Sequence, residues 1–182
     1  GIRANTVRDI TQIKEVVDLP VIGIIKKDYE GTPMYITVTM KEVDALVACG
    51  VEIVAVQGTG SRRPDGSSAP EFIRAVKENT PAAGNGRLCD VGEGIACAEA
   101  GLILWYYDAW LHTGDKGCDD IDYAFIHELS EKCPAKIIAE GHIHYPEQAK
   151  KALEAGAFAL VVGGAITRPA EITSRFVSAI RK

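Results

Sequence analysis

Short continuous apolar runs alternate along this chain with stretches of helical periodicity. Pro20-Val-Ile-Gly-Ile-Ile25, Val51-Glu-Ile-Val-Ala-Val56, Leu102-Ile-Leu-Trp-Tyr-Tyr107, Lys136-Ile-Ile-Ala139 and Ala157-Phe-Ala-Leu-Val-Val162 are too short for helices. They are rich in β-branched and aromatic residues, which suits strands buried on both faces of a parallel sheet. Between them lie amphipathic helices. Residues 7–17 carry Val7, Ile10, Ile13 and Val17 at helical spacing behind Thr6, a candidate N-cap. Further helices are predicted over 41–49, 71–77, 91–100, 121–132, 147–155 and 171–180. Gly50, Gly101 and Gly156 stand where helix C-termini favour glycine, and Pro169 stands in a first turn.

Strand–helix alternation with short links predicts an α/β fold with a parallel sheet. With 1–4 as a strand stub and 83–89 as a weak strand, the pattern holds seven βα units. The expected architecture is a (β/α)8 TIM-type barrel lacking its first βα unit, in one domain over residues 1–182. The length of 182 residues fits that reading, since complete barrels of this kind run to ~250.

Composition narrows the function. Twenty basic against 25 acidic groups leave a net charge of −5, and no basic face is visible, which argues against nucleic acid as a partner. An acidic chain that binds an anion must gather positive potential locally. Five cysteines (Cys49, Cys89, Cys97, Cys118, Cys133) form an odd set without a CxxC pair. That excludes the usual metal spacing and a complete disulfide framework, and suggests reduced thiols. No apolar run approaches the ~20 residues needed to span a bilayer, and no signal peptide is visible. A cytoplasmic protein without metal or cofactor is the expectation.

Reactive groups in such barrels sit at strand C-termini. That rule selects Arg3, Lys26, Gln57, Asp108, Glu140 and Gly163-Gly164. Lys26 follows Ile24-Ile25, whose apolar walls would lower an amine's pKa and free it as a base; the alternative is a solvated loop charge. Glu140 precedes Gly141, which lets the backbone turn closely around a ligand; the alternative is a helix-capping acid. Gly163-Gly164-Ala165-Ile166-Thr167-Arg168-Pro169 offers backbone N–H groups, a helix N-terminus and a guanidinium to an anion. Its place after the last strand is where these barrels commonly bind phosphate.

Gly1-Ile-Arg-Ala-Asn5, Leu19-Pro-Val-Ile-Gly-Ile-Ile-Lys-Lys-Asp-Tyr29, Tyr35-Ile-Thr, Thr39-Met-Lys-Glu-Val-Asp44, Ile138-Ala-Glu-Gly141, Pro146-Glu-Gln-Ala149 and Val162-Gly-Gly-Ala-Ile-Thr-Arg-Pro169 together resemble the N-acetylmannosamine-6-phosphate 2-epimerase family. The resemblance covers nearly the whole chain. It implies a cofactor-free epimerisation at C2 of N-acetylmannosamine 6-phosphate and N-acetylglucosamine 6-phosphate, by proton abstraction beside the C1 carbonyl. Lys26 matches the family's catalytic lysine and Glu140 the acid beside it. Arg168 matches the arginine that holds the substrate, Gly163 and Gly164 the phosphate cradle, and Arg3 an arginine near the substrate, with Gly141 beside the site. A homodimer is also implied, and an open seven-strand barrel would favour association through its edges.

The chain departs from the family in one sector. Where the family reads Ala-Leu-Asp-Ala-Thr, this chain has Ala55-Val-Gln-Gly-Thr59, so an acid becomes Gln57. Where it reads Ala-Asp-Ile-Ser, the stretch is Asn85-Gly-Arg-Leu-Cys-Asp90, with Arg87 at the aspartate's place. Where it reads Thr-Thr-Leu-Ser-Gly-Tyr-Thr, the chain has Tyr107-Asp-Ala-Trp-Leu-His-Thr113, and His142 stands for a usual arginine or lysine. Three explanations compete over 57–60, 84–92 and 105–113. One is a rebuilt aromatic pocket of Trp105, Tyr106, Tyr107, Asp108, Trp110 and His112; the others are an inactive or redesigned barrel with its phosphate site retained, and a sequence in error in those stretches.

Overall fold

The computed structural model describes residues 1–88, 90–108 and 121–181. Strands and helices alternate as the apolar pattern predicts: β1 (Ile2–Asn5), α1 (Val7–Val16), β2 (Val21–Ile24), α2 (Met40–Ala48), β3 (Ile53–Gln57), α3 (Ala69–Asn79), β4 (Ala83–Leu88) and α4 (Val91–Glu99). There follow β5 (Leu104–Asp108), α5 (Tyr123–Lys132), β6 (Lys136–Glu140), α6 (Pro146–Glu154), β7 (Ala159–Val161), α7 (Gly164–Thr167) and α8 (Pro169–Ile180). Local chemistry fixes the helix starts. Thr6 Oγ1 accepts from Asp9 N at 3.2 Å, Asp90 Oδ1 from Glu93 N at 2.8 Å, and Asp122 Oδ1 from Phe125 N at 2.9 Å. Each satisfies a backbone donor that the helix itself leaves open.

Three strands start two residues later than their apolar runs: β3 at Ile53, β5 at Leu104 and β7 at Ala159. For β5, the apolar run begins at Leu102, yet the strand begins at Leu104. Gly101, at φ 112°, turns the chain out of α4, and Leu102 N donates back to Cys97 O at 3.0 Å. Leu102 therefore closes a helix rather than opening a strand, and Ile103 beside it is exposed.

All seven strands pair in parallel in the order β1-β2-β3-β4-β5-β6-β7. Their residues divide with period two between two apolar clusters. Val21, Val54, Val56, Ile137, Ala139 and Leu160 pack with the helices, whereas Ile22, Ile24, Ala55, Ile138, Ala159 and Val161 form a second, inner cluster. That inner cluster unites strands from both ends of the sheet, which a flat sheet cannot do. The Arg3–Glu140 ion pair makes the same point. Five strand spacings separate β1 from β6, roughly 24 Å if flat, at about 4.8 Å each. The sheet is curled into a parallel β/α barrel, and residues of the inner parity look into it.

Candidate active site at the strand C-termini

Parity decides which strand-end side chains share the barrel mouth. Ala4 belongs to the outer cluster, so Arg3 has the inner parity. Glu140 shares the parity of Ile138, Gln57 that of Ala55, and Lys26 that of Ile22 and Ile24. The sequence had picked out these four for standing at strand ends. The fold adds that all four stand on the inward side.

Arg3 and Glu140 meet directly, through Nη1 and Oε1, with side chains 25% and 16% exposed. In so little water a charged hydrogen bond is worth more than a surface pair, and losing either partner leaves a half-buried charge. Past Glu140 the chain takes two left-handed residues, Gly141 at φ 87° and His142 at φ 53°. The second is a conformation that costs a non-glycine residue on the order of 1–2 kcal/mol. This turn brings His142 and His144 to the wall of a cleft of about 170 Å³, whose lining also includes Arg3, Glu140, Gly141, Gly163, Gly164, Arg168 and Glu171. Six of the seven residues singled out from sequence therefore converge on one cleft, and Lys26 is not among its lining residues.

The glycines after β7 behave differently from each other. A Cβ on Gly163 would meet nothing within 4 Å, so open space lies above it. A Cβ on Gly164 would lie 2.4 Å from Glu171 Oε2, so this carboxylate rests directly against the backbone of Gly164. Its other oxygen accepts from Arg168 Nη1 at 2.6 Å. Glu171 thus carries negative charge to the place where the sequence predicted a phosphate. Sequence reasoning missed it and His144. The available signals were the i,i+3 spacing of Arg168 and Glu171, and the alternation His142-Ile143-His144 after a glycine.

Lys26 lies just past β2, exposed, with its N–H donating to Asn5 Oδ1 at 3.2 Å and its backbone bridged to Ile36. Gln57 is 5% exposed and is held by protein on every polar atom it uses. Its Oε1 accepts from Tyr35 N at 3.0 Å and its Nε2 donates to Thr59 Oγ1 at 3.1 Å. Behind it Arg63, 3% exposed, donates from Nη2 to Gln57 O at 2.6 Å and stacks 3.9 Å over the Phe72 ring. Burial pulls the Arg63 pKa down to about 10, which still leaves it cationic at neutral pH, and pushes the Cys97 thiol up to about 12. A thiol so suppressed is a packing group.

Among the described residues no three His, Cys, Asp or Glu side chains gather as they would around a metal, and no helix is long and apolar enough to cross a membrane. Trp110 and His112 of the expected aromatic pocket lie outside the described residues. For Trp105 to Asp108, and for Arg87, the structure gives backbone placement in β5 and β4, with Arg87 in register with Gln57.

A parallel β/α barrel with a charged, glycine-bounded cleft at its strand C-termini defines the class of barrels whose chemistry sits at that face. Comparison with known proteins narrows the class. A family model described as "Putative N-acetylmannosamine-6-phosphate epimerase" matches residues 1–182. The chain belongs to that family. A relative from Caldanaerobacter subterraneus subsp. tengcongensis, of the corresponding 2-epimerase name, is 44% identical over 187 residues, covering 100% of this chain and 78% of the relative. A relative of the same name from Listeria monocytogenes serotype 4a is 39% identical over 188 residues, with the same two coverages. The solved N-acetylmannosamine-6-phosphate 2-epimerase of Clostridium perfringens superposes with a TM-score of 0.90 at 37% identity, over 98% of this chain and 78% of that one.

Proposed function

We propose that the chain interconverts N-acetylmannosamine 6-phosphate and N-acetylglucosamine 6-phosphate without a cofactor, as a single barrel domain over 1–182. The observation that carries this reading is the convergence of Arg3, Glu140, Gly163, Gly164 and Arg168 on one cleft, within a chain of that family. In the open-chain sugar the C2–H bond is acidified by the C1 carbonyl. Lys26 takes that proton, the electron pair forms a C1–C2 enolate with its charge on O1 and the acetamido group still on C2, and return of a proton to the other face of C2 gives the epimer. Nothing is oxidised or reduced overall. Glu140, oriented by Arg3, serves as the acid/base partner, and Gly141 lets the backbone pass close to the sugar. Incubation of either sugar phosphate in D2O, followed by NMR, tests the reading: both epimers should appear with deuterium at C2.

The phosphate is assigned to the Gly163-Gly164 turn with Arg168. Because Arg168 already pairs with Glu171 at 2.6 Å, phosphate must compete for that guanidinium. Arg168→Ala should weaken binding of the phosphorylated sugar by about 1.5–3 kcal/mol, the range for a lost charge-assisted bond. Titration calorimetry against the phosphorylated and unphosphorylated sugars measures it, and equal losses for both would move Arg168 to the sugar itself. Glu171→Gln should act the other way, because a carboxylate no longer faces the incoming anion.

The same reading includes a homodimer and a cytoplasmic location. The one-neighbour strands β1 and β7 and the exposed Phe176 and Ile180 on α8 support association. Sedimentation equilibrium measures it.

A further inference from the structure

Gln57 is buried, lies on the inward side of β3, and is left unused by the proton-transfer scheme. Its contacts trace a route to Lys26. Residues 35–37 lie between two partners. On one edge Lys27 N donates to Tyr35 O at 2.9 Å and Thr37 N to Ile25 O at 2.8 Å. On the other edge Gln57 N donates to Ile36 O at 3.0 Å, and the Gln57 side chain takes the Tyr35 N–H through Oε1. The segment thus acts as a short strand wedged between the continuation of β2, which carries Lys26, and the end of β3. The amide of Gln57 cannot rotate freely, since Nε2 is tied to Thr59 Oγ1 and Oε1 to Tyr35 N, while Arg63 holds the backbone carbonyl of the same residue. A carboxylate at 57 could accept from Tyr35 but could not donate to Thr59.

We propose that Gln57 is a positioning residue for the proton transfer: through the Tyr35–Ile36 segment it sets where the backbone presents Lys26 to the substrate. This rests on Lys26 being the base. The amide that replaces the family's aspartate therefore works within the protein, through a ladder rung of side-chain origin, and does not contact the sugar. A shift of the rung displaces the lysine, and small displacements of a reacting group are costly in rate while leaving binding almost untouched.

The test compares wild type, Gln57→Met, Gln57→Glu and Thr59→Val by C2 deuterium exchange in D2O. NMR detection over hours reads turnover far below a steady-state assay. Gln57→Met removes the acceptor at similar volume and should lower kcat by about ten- to a hundredfold, with KM changed by less than about threefold. Gln57→Glu keeps the reach and the acceptor and should recover most of that loss. Thr59→Val frees the amide to rotate, is the milder change should Gln57→Met fail to fold, and should lower kcat severalfold. A folded Gln57→Met or Thr59→Val with unaltered kcat, or a loss that appears in KM, overturns the proposal. Lys26→Met separates the two levels: if that variant still exchanges the proton, the base assignment fails whatever Gln57 does.

Discussion

Lys26→Met is expected to abolish exchange of the C2 proton with solvent while leaving phosphate binding nearly intact. Positioned general bases contribute about 10² to 10⁴ in rate, so exchange should fall by about a thousandfold or more. Methionine keeps a stem of similar length without the amine, and because Lys26 is exposed the change disturbs little packing. The two functions separate because they occupy different parts of the fold. Lys26 follows β2, whereas Gly163, Gly164 and Arg168, to which phosphate binding is assigned under the proposed function, follow β7 and line the cleft. Deuterium incorporation and calorimetry on one sample read both. Wild-type exchange in the variant would sink the mechanism.

A second large effect is expected in the altered sector. Asn85-Gly-Arg-Leu-Cys-Asp90 can be encoded as AAT GGC CGA CTC TGC GAC, which read from its second base gives Met-Ala-Asp-Ser-Ala. Tyr106-Tyr-Asp-Ala-Trp-Leu-His-Thr113 can be encoded as TAC TAC GAT GCA TGG CTA CAC ACC, which read from its second base gives Thr-Thr-Met-His-Gly-Tyr-Thr. The first restores the Ala-Asp of the family pattern with the aspartate at position 87. The second restores Thr-Thr and Gly-Tyr-Thr. Both use the same one-base offset, and in the second the invariant TGG codon of Trp110 forces the glycine. The expected result is that the gene carries such codons and that a gene corrected in both stretches encodes a chain at least about a hundredfold more active, as befits a rebuilt binding wall. Sequencing the gene and mapping peptides across 105–116 decide it. Peptides as written here, with codons that give no such motifs when shifted, would leave a rebuilt pocket or an inactive barrel.

Much of the fold was legible because strand and helix periods are local properties. Apolar runs without polar alternates mark strands covered on both faces, and Thr6, Gly101 and Pro169 punctuate helices through local capping and backbone preferences. The glycine turn that lines the cleft was legible for the same reason, since glycines, a helix start and an arginine lie within one short segment. The strand at 102–107 was misplaced by two residues because helix closure by Gly101 and Leu102 looks, in sequence, like the beginning of an apolar run.

By itself the sequence determined the βα rhythm, the strand-end candidates and, through Glu140-Gly141 and Gly163 to Arg168, the residues that converge on the cleft. Tertiary structure alone decided their partners. Arg3 and Glu140 are 137 residues apart, and only the curl of the sheet brings their charges together. Gln57 reads in sequence as a lost acid. Folded, it is an amide with both polar ends satisfied, because Tyr35 and Thr59 reach it from separate loops. Glu171 reads as a helix-terminal acid, yet in the fold it lies against Gly164 on the lining of the cleft. Spacing along a chain fixes which face a residue takes, but the identity of what it meets there depends on segments whose approach is set by packing.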